Sequence, residues 1–322
     1  MSFSEEEESP DWYIEKGWHF DQNNDFVDKE GRFFDFESQQ EHYEYVQLMI
    51  RRHIFDELQR RFDFYPIYVP ATLDLKLPAK TVVRRGPRCP QVYATKDYRS
   101  NPKLMVIVQG LGEVPPGQWA RKLFTNGKRG QWGLATQFPY IERALAEKWA
   151  IILCDPNHDE GKPKNRKTRA LHVQRVWEDL IRAGTTATLD LYEAIKLEFN
   201  QRVQAIAFLD GEVSRADPST PEGEWFAKHS RSFRKQSLDV ASTNEETVAT
   251  SDHDSVPGIA VKQVFRFLKA KVDQFDDIPS RAEVNALNAG PSSAVISTLS
   301  SSPQLSEPNP EPSDYGTKDP SS

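Results

Sequence analysis

The chain has 322 residues, a formal net charge of −7 and only two cysteines, Cys89 and Cys154. The negative balance gives no general attraction for phosphate backbones, so a nucleic-acid contact would have to come from a local basic patch, and so few cysteines fit a reduced cytoplasmic or nuclear compartment better than a disulfide scaffold. No run approaches about 18 consecutive apolar residues, and the acidic opening Ser4 to Pro10 lacks the basic-then-apolar order of a secretory signal, so neither a membrane span nor a leader is expected.

Trp18-His19-Phe20, Phe26-Val27 and Arg32 to Phe36, separated by Asn, Asp and Gly, predict short strands and turns. A helix is expected next: Ser38 and Glu41 have the spacing of a capping box, and Val46, Met49, Ile50, Ile54 and Leu58 recur on one helical face. Tyr65 to Leu77 is semi-extended and Gly86 to Pro90 a loop. Leu104 to Val108 is a continuous apolar run ending at Gln109-Gly110-Leu111-Gly112, as a strand buried on both faces would be. Ile141, Leu145 and Trp149 predict a short helix, and Ala150 to Cys154 a second buried strand, completing a βαβ unit.

Leu171 to Arg182 and Ala187 to Phe199 both read as helices, with only Gly184-Thr185-Thr186 between them, although consecutive crossover helices should flank a buried strand. The pattern resumes with Val203 to Leu209 and ends in a helix over Ile259 to Ala270, with Val261, Val264, Phe265 and Leu268 as its stripe. The expected organisation is a disordered acidic segment over 1–10, one α/β domain over 11–275 (strands and helix over 11–66, main core over 100–270), and a disordered Ser/Pro-rich tail over 276–322.

Several runs carry a family resemblance. They are Asn101 to Gly110, Pro116-Gly117-Gln118-Trp119-Ala120-Arg121-Lys122-Leu123, Gln137-Phe138-Pro139-Tyr140-Ile141 with Arg143-Ala144, Asp155-Pro156-Asn157, His172-Val173 with Val176-Trp177, and Ala205 to Asp210. On these the chain resembles the Argonaute-binding-protein (Arb-two) domain family, including the animal cotranscriptional regulators, over roughly Asp11 to Leu268. The resemblance implies an α/β-hydrolase-like fold with a mostly parallel sheet and flanking helices. It also implies nuclear or cytoplasmic residence and association with Argonaute proteins in small-RNA-directed silencing, heterochromatin formation or chromatin-coupled splicing control.

The chain departs from that family at two points. The family's central strand ends in an Ala-His-Ser-(Tyr or Ala)-Gly-Gly turn related to the nucleophile elbow, where glycines relieve a strained backbone. Here the sequence passes from Ile181-Arg182-Ala183-Gly184 directly to Thr185-Thr186-Ala187. Relatives also place a His-Gly pair where this chain has Gln109-Gly110; the amides from Gly110 to Gly112 are left as an oxyanion region without the histidine. The remaining acid and base candidates are Asp210, which also reads as a turn or cap residue, and His253, which also reads as an exposed imidazole bonded to Asp254. The expectation is therefore a binding or regulatory protein without a working nucleophile; the alternative is an esterase-like hydrolase whose elbow is absent from this version of the sequence.

Partner-binding candidates are Trp119, Arg121 and Lys122, as a stacking and phosphate-binding edge for RNA, and the basic run Lys162, Lys164, Arg166, Lys167 and Arg169, as an import element or RNA-backbone contact. Trp119 also reads as a packing residue and the basic run as a solvated loop. Gly110 and Gly112 lack the third glycine and the acid of a dinucleotide fingerprint, and His158-Asp159 and Asp252-His253-Asp254 lack ligand spacing, so no cofactor and no metal are expected.

Overall fold

The structure, a computed structural model, describes residues 10–68, 91–110, 114–157, 166–177, 180, 202–211, 219–236 and 244–276. The acidic segment before Pro10, the tail from 277, Cys89 and the 187–199 helix lie outside the described residues. All that is described belongs to one unit, Met1–Asp277.

At the amino end, α1 (Asp11–Lys16) is closed by Gly17 at a left-handed φ of 64°. The hairpin β1 (His19–Phe20) and β2 (Phe26–Val27) follows, with Phe20 opposite Phe26. Asp21 builds its turn by accepting the N–H groups of Asn23 and Asp25 at 2.8 and 2.9 Å, the local bonding that makes Asx residues turn formers. The strand expected at Arg32 to Phe36 shrinks to two isolated bridges, Val27 with Phe33 and Asp35 with Asn126.

Helix α2 (Tyr43–Arg60) buries Val46, Ile50, Ile54 and Leu58, the expected stripe, while Met49 stays half-buried. The capping box does not form. Ser38 instead donates its hydroxyl to the Asp35 carboxylate at 3.1 Å, and a 3₁₀ turn over Gln40–His42 leads into the helix.

Strands β3 (Tyr65–Tyr68), β4 (Gln91–Ala94), β5 (Leu104–Ile107) and β6 (Ala150–Leu153) form a sheet in the order β3-β4-β6-β5. The β3/β4 and β4/β6 pairs are antiparallel and β5/β6 is parallel. Every residue of β6 is buried, because alternate side chains feed two cores: Ile151 and Leu153 join the α2 face, while Ala150, Ile152 and Cys154 pack with Val92, Ala94, Val176 and Leu180. The double burial expected of β5 is not met. Met105 and Ile107 are buried, but Val106 and Val108 are 36% and 40% exposed.

Short α3 (Trp132–Ala135) and α4 (Phe138–Ala146) precede β6; α4 buries Phe138, Tyr140, Ile141 and Ala144, whereas Leu145, expected on the inner face, is exposed. Helix α5 (Arg166–Val176) follows β6, beginning earlier than the sequence pattern suggests. Then β7 (Ile206–Leu209), α6 (Pro221–His229), β8 (Ser230–Lys235) and β9 (Glu245–Val248) produce a second sheet, β7-β8-β9, with both pairs parallel. Helix α7 (Val256–Asp276) packs on α3 and α4 and also on β7, β8 and β9.

The α/β class is therefore observed, with parallel pairing and flanking helices. The expected single sheet is divided among the described residues: β5 ends one sheet, β7 ends the other, and no ladder joins them. This interruption falls in chain order where the sequence lacks its strand, and residues 181–201 lie outside the described set.

Candidate functional site

Asp210 follows β7 directly and adopts a left-handed φ of 47°, which turns its side chain back toward the strand ends. Its Oδ1 accepts the Lys235 N–H at 3.1 Å, and its Oδ2 lies 2.6 Å from Nδ1 of His253. The turn reading and the acid reading of Asp210 thus coexist in one conformation. His253 opens a 3₁₀ turn just before α7 and pairs with Asp210 rather than with Asp254. The Asp210 carboxylate is 6% exposed and the imidazole 61%, so an enclosed acid holds an accessible ring. With Nδ1–H donated to Asp210, Nε2 is the ring nitrogen left for a further partner, the arrangement a general base uses. Among the described residues no hydroxyl or thiol is bonded to that nitrogen. Cys154 is fully enclosed, and burial, aided by Asp155, pushes its thiol up to about 12.

Lys122 lies beside this turn. Its ammonium pairs with Asp254 and, at 3.6 Å, with Asp252, and the hydrogen bond to Asp254 holds the ammonium above its ordinary pKa. Asp252 accepts the Ser255 hydroxyl at 2.5 Å, which holds its carboxyl below the usual range. Arg121 pairs with Glu44 at 3.0 Å and lies over the Tyr43 ring, 4.9 Å from its centroid. Trp119 is half-buried, edge-on to Tyr140 at 5.4 Å. A phosphate contact by either cation of this edge would have to displace a carboxylate.

The run containing Trp119 has a structural basis. Gly117 has a φ of 88°, and a β-carbon there would stand 2.6 Å from Ile54 Cγ2, so only glycine lets the segment lie against α2. Gln137 clamps it: Oε1 accepts the Gly117 N–H at 3.0 Å, Nε2 donates to the Gln118 carbonyl at 3.3 Å, and the Gln137 N–H donates to the Gly117 carbonyl at 2.8 Å. Two further resemblance runs meet in the interior, where the Asp155 N–H donates to Nε2 of His172 at 2.9 Å. These pairings across the chain carry no periodic signature, so the sequence showed the residues without their partners.

Gln109 lies beyond the end of β5 with its side chain buried and neither amide atom bonded. Gly110 offers its carbonyl to Asn157 Nδ2 at 3.1 Å. No hydrogen bond or ion pair among the described residues links Gln109 or Gly110 to the Asp210–His253 pair. Gly112, Lys162 and Lys164 lie outside the described residues; Arg166 and Lys167 begin α5, and nothing further is assigned to their side chains. Arg169, read as part of a basic run, instead donates a terminal guanidinium N–H to the Gln109 carbonyl. No group of three or more His, Cys, Asp or Glu among the described residues could hold a metal ion, and no described helix is long and apolar enough to cross a membrane.

No family model matches this chain. A FAM172 family protein homolog of Caenorhabditis elegans is 28% identical over 165 residues, which cover 50% of this chain and 49% of that protein. The Homo sapiens cotranscriptional regulator ARB2A is 29% identical over 136 residues, 42% of this chain and 29% of the regulator, and the Dictyostelium discoideum homolog of that regulator is 36% identical over 69 residues, 21% and 17% respectively. The chain thus matches about half the length of the first relative and under a third of the others. A solved histone deacetylase from Saccharomyces cerevisiae overlaps 71% of this chain and 98% of its own at 14% identity and a TM-score of 0.43, a likeness on which no argument rests. Over the stretches they share, the chain is a sequence relative of the ARB2A cotranscriptional regulators, and its resemblance to the Arb-two domain family stands.

Proposed function

We propose that this chain is a non-catalytic adaptor of the nucleus or cytoplasm. It associates with an Argonaute protein or a small-RNA or chromatin complex, in gene silencing, heterochromatin formation or cotranscriptional control of splicing. The observation that carries this reading is the similarity to proteins named cotranscriptional regulators in species as distant as human and Dictyostelium. The test is ultraviolet crosslinking of the tagged full chain in its own cells, followed by immunoprecipitation, Argonaute immunoblotting, RNA sequencing and chromatin fractionation. Argonaute and small RNA in the precipitate are expected; a chain recovered free of Argonaute, RNA and chromatin would overturn the reading.

The Asp210–His253 pair favours a second reading, an esterase-like hydrolase whose nucleophile is supplied by a longer form of the chain. Sequencing the transcript across the codons for Leu171 to Phe199 decides between them. A longer product encoding a serine within a glycine turn makes ester hydrolysis the assay to run, whereas a single short product leaves the adaptor.

A further inference from the structure

The carboxyl ends of β5 and β6 gather polar groups that the fold leaves unsatisfied. Arg169, in the first turn of α5, is half-buried; among the described residues it bonds only the Gln109 carbonyl, its buried Nε has no partner and no carboxylate pairs with it. Burial accordingly pushes its pKa down. A desolvated cation without a counter-charge is costly. Gln109 is 1% exposed with both Oε1 and Nε2 unbonded. Asn157, 1% exposed, donates Nδ2 to the Gly110 and Val114 carbonyls, both at 3.1 Å, and leaves its own Oδ1 unbonded.

The start of α5 adds a third observation. Its first turn carries Arg169 and contains no acidic residue to meet the positive end of the helix dipole. Each of these features alone costs stability; a single bound oxyanion relieves the Arg169, Gln109 and helix-start terms at once.

We infer that this cluster binds a small phosphate ester. The guanidinium Nε–H, buried without a partner, donates to a phosphate oxygen in the charge-assisted bond that suits arginine. Gln109 Nε2 donates to the same phosphate, while its Oε1 accepts an O–H or N–H carried next to it. A small ester is favoured over a nucleic-acid strand because Gln109 and Asn157 are enclosed, whereas strands are tracked by open rows of cations. The position, outside the carboxyl ends of parallel strands, is where open α/β sheets bind ligands.

The test is calorimetric titration of the full chain with uridine monophosphate, inorganic phosphate and a short single-stranded RNA, in wild type, Arg169→Gln and Gln109→Leu. Saturable binding of the mononucleotide is expected, weaker for inorganic phosphate, with a loss of at least about tenfold in both variants. Gln109→Leu removes two unbonded buried atoms at similar volume, so its melting temperature is expected to equal or exceed wild type, which separates lost binding from lost folding. No saturable binding of any probe, unchanged binding in both variants, or RNA binding tighter than the mononucleotide would each overturn the inference.

Discussion

His253 Nδ1 lies 2.6 Å from Asp210 Oδ2, across 43 residues of sequence, and this contact ties the end of β7 to the turn that starts α7. Asp210 also receives the Lys235 N–H at 3.1 Å. Asp210→Ala removes both bonds, but the imidazole is 61% exposed and regains water, so the expected loss in urea denaturation is about 0.5 to 1.5 kcal/mol. Asp210→Asn keeps an acceptor and should lose less. Equal midpoints for all three proteins would show that the contact holds nothing together.

Gly117→Ala is expected to destabilise by about 2 to 4 kcal/mol, since it combines left-handed strain with overpacking against Ile54 and Leu58. A ΔΔG below about 0.5 kcal/mol would mean that the segment shifts freely on α2.

Ile54 is fully buried at the centre of the α2 face. Truncation to alanine removes packing against the same glycine segment and is expected to cost about 2 to 5 kcal/mol. Because Ile54 and Gly117 are neighbours, the double variant Ile54→Ala with Gly117→Ala should lose less than the two single losses added, the extra methyl entering the space vacated. Strict additivity in a double-mutant cycle would refute the shared site.

His53 is stacked on Phe20 at 3.8 Å, lies edge-on to Trp132, and bonds Asn24 Oδ1 at 3.0 Å through Nε2. Burial holds its pKa below the ordinary value of 6.5, against the opposing pull of Glu57 and Asp56 and with the aid of Arg60. The unfolded histidine therefore takes its proton first as pH falls. Its contribution is complete above about pH 6.5 and is lost as pH falls through the lower folded value. Stability should decline as pH falls below about 6.5, and His53→Gln should flatten that slope in pH-dependent urea titrations. Parallel slopes for the two proteins would remove His53 as the cause.

With no ladder joining the two sheets among the described residues, melting of the full chain is expected to be non-cooperative, with a van't Hoff enthalpy below the calorimetric one. One sharp transition with matching enthalpies would count against it.

What the sequence made legible follows from how much each element buries. Strand β6 is apolar at every position because it feeds two cores, and α2 declares itself because one face is wholly enclosed. Strand β8 was missed since its buried residues include Ser230 and Ser232, with Phe233 the lone large apolar side chain, and β9 since Glu245 and Glu246 are spent on Arg234 and Arg231. Asp210 and His253 were visible as residues. Their contact was not, because it depends on a left-handed turn and on parallel pairing of β7 with β8. Arg169 was legible as charge, while its inward course depends on a single carbonyl 60 positions earlier.

Helix α7 braces elements of both sheets, receives the Tyr140 hydroxyl on the Pro257 carbonyl at 2.8 Å, and lets Leu134 approach so closely at Gly258 that a β-carbon there would sit 2.5 Å from Leu134 Cα. It is also the last described element in the chain. During synthesis, then, the earlier strands and helices leave the ribosome before their common brace, and the apolar surfaces meant for it stay open until residue 276 has cleared the exit. Translation stalled or terminated anywhere before Val256 would yield not a smaller version of the fold but a chaperone substrate.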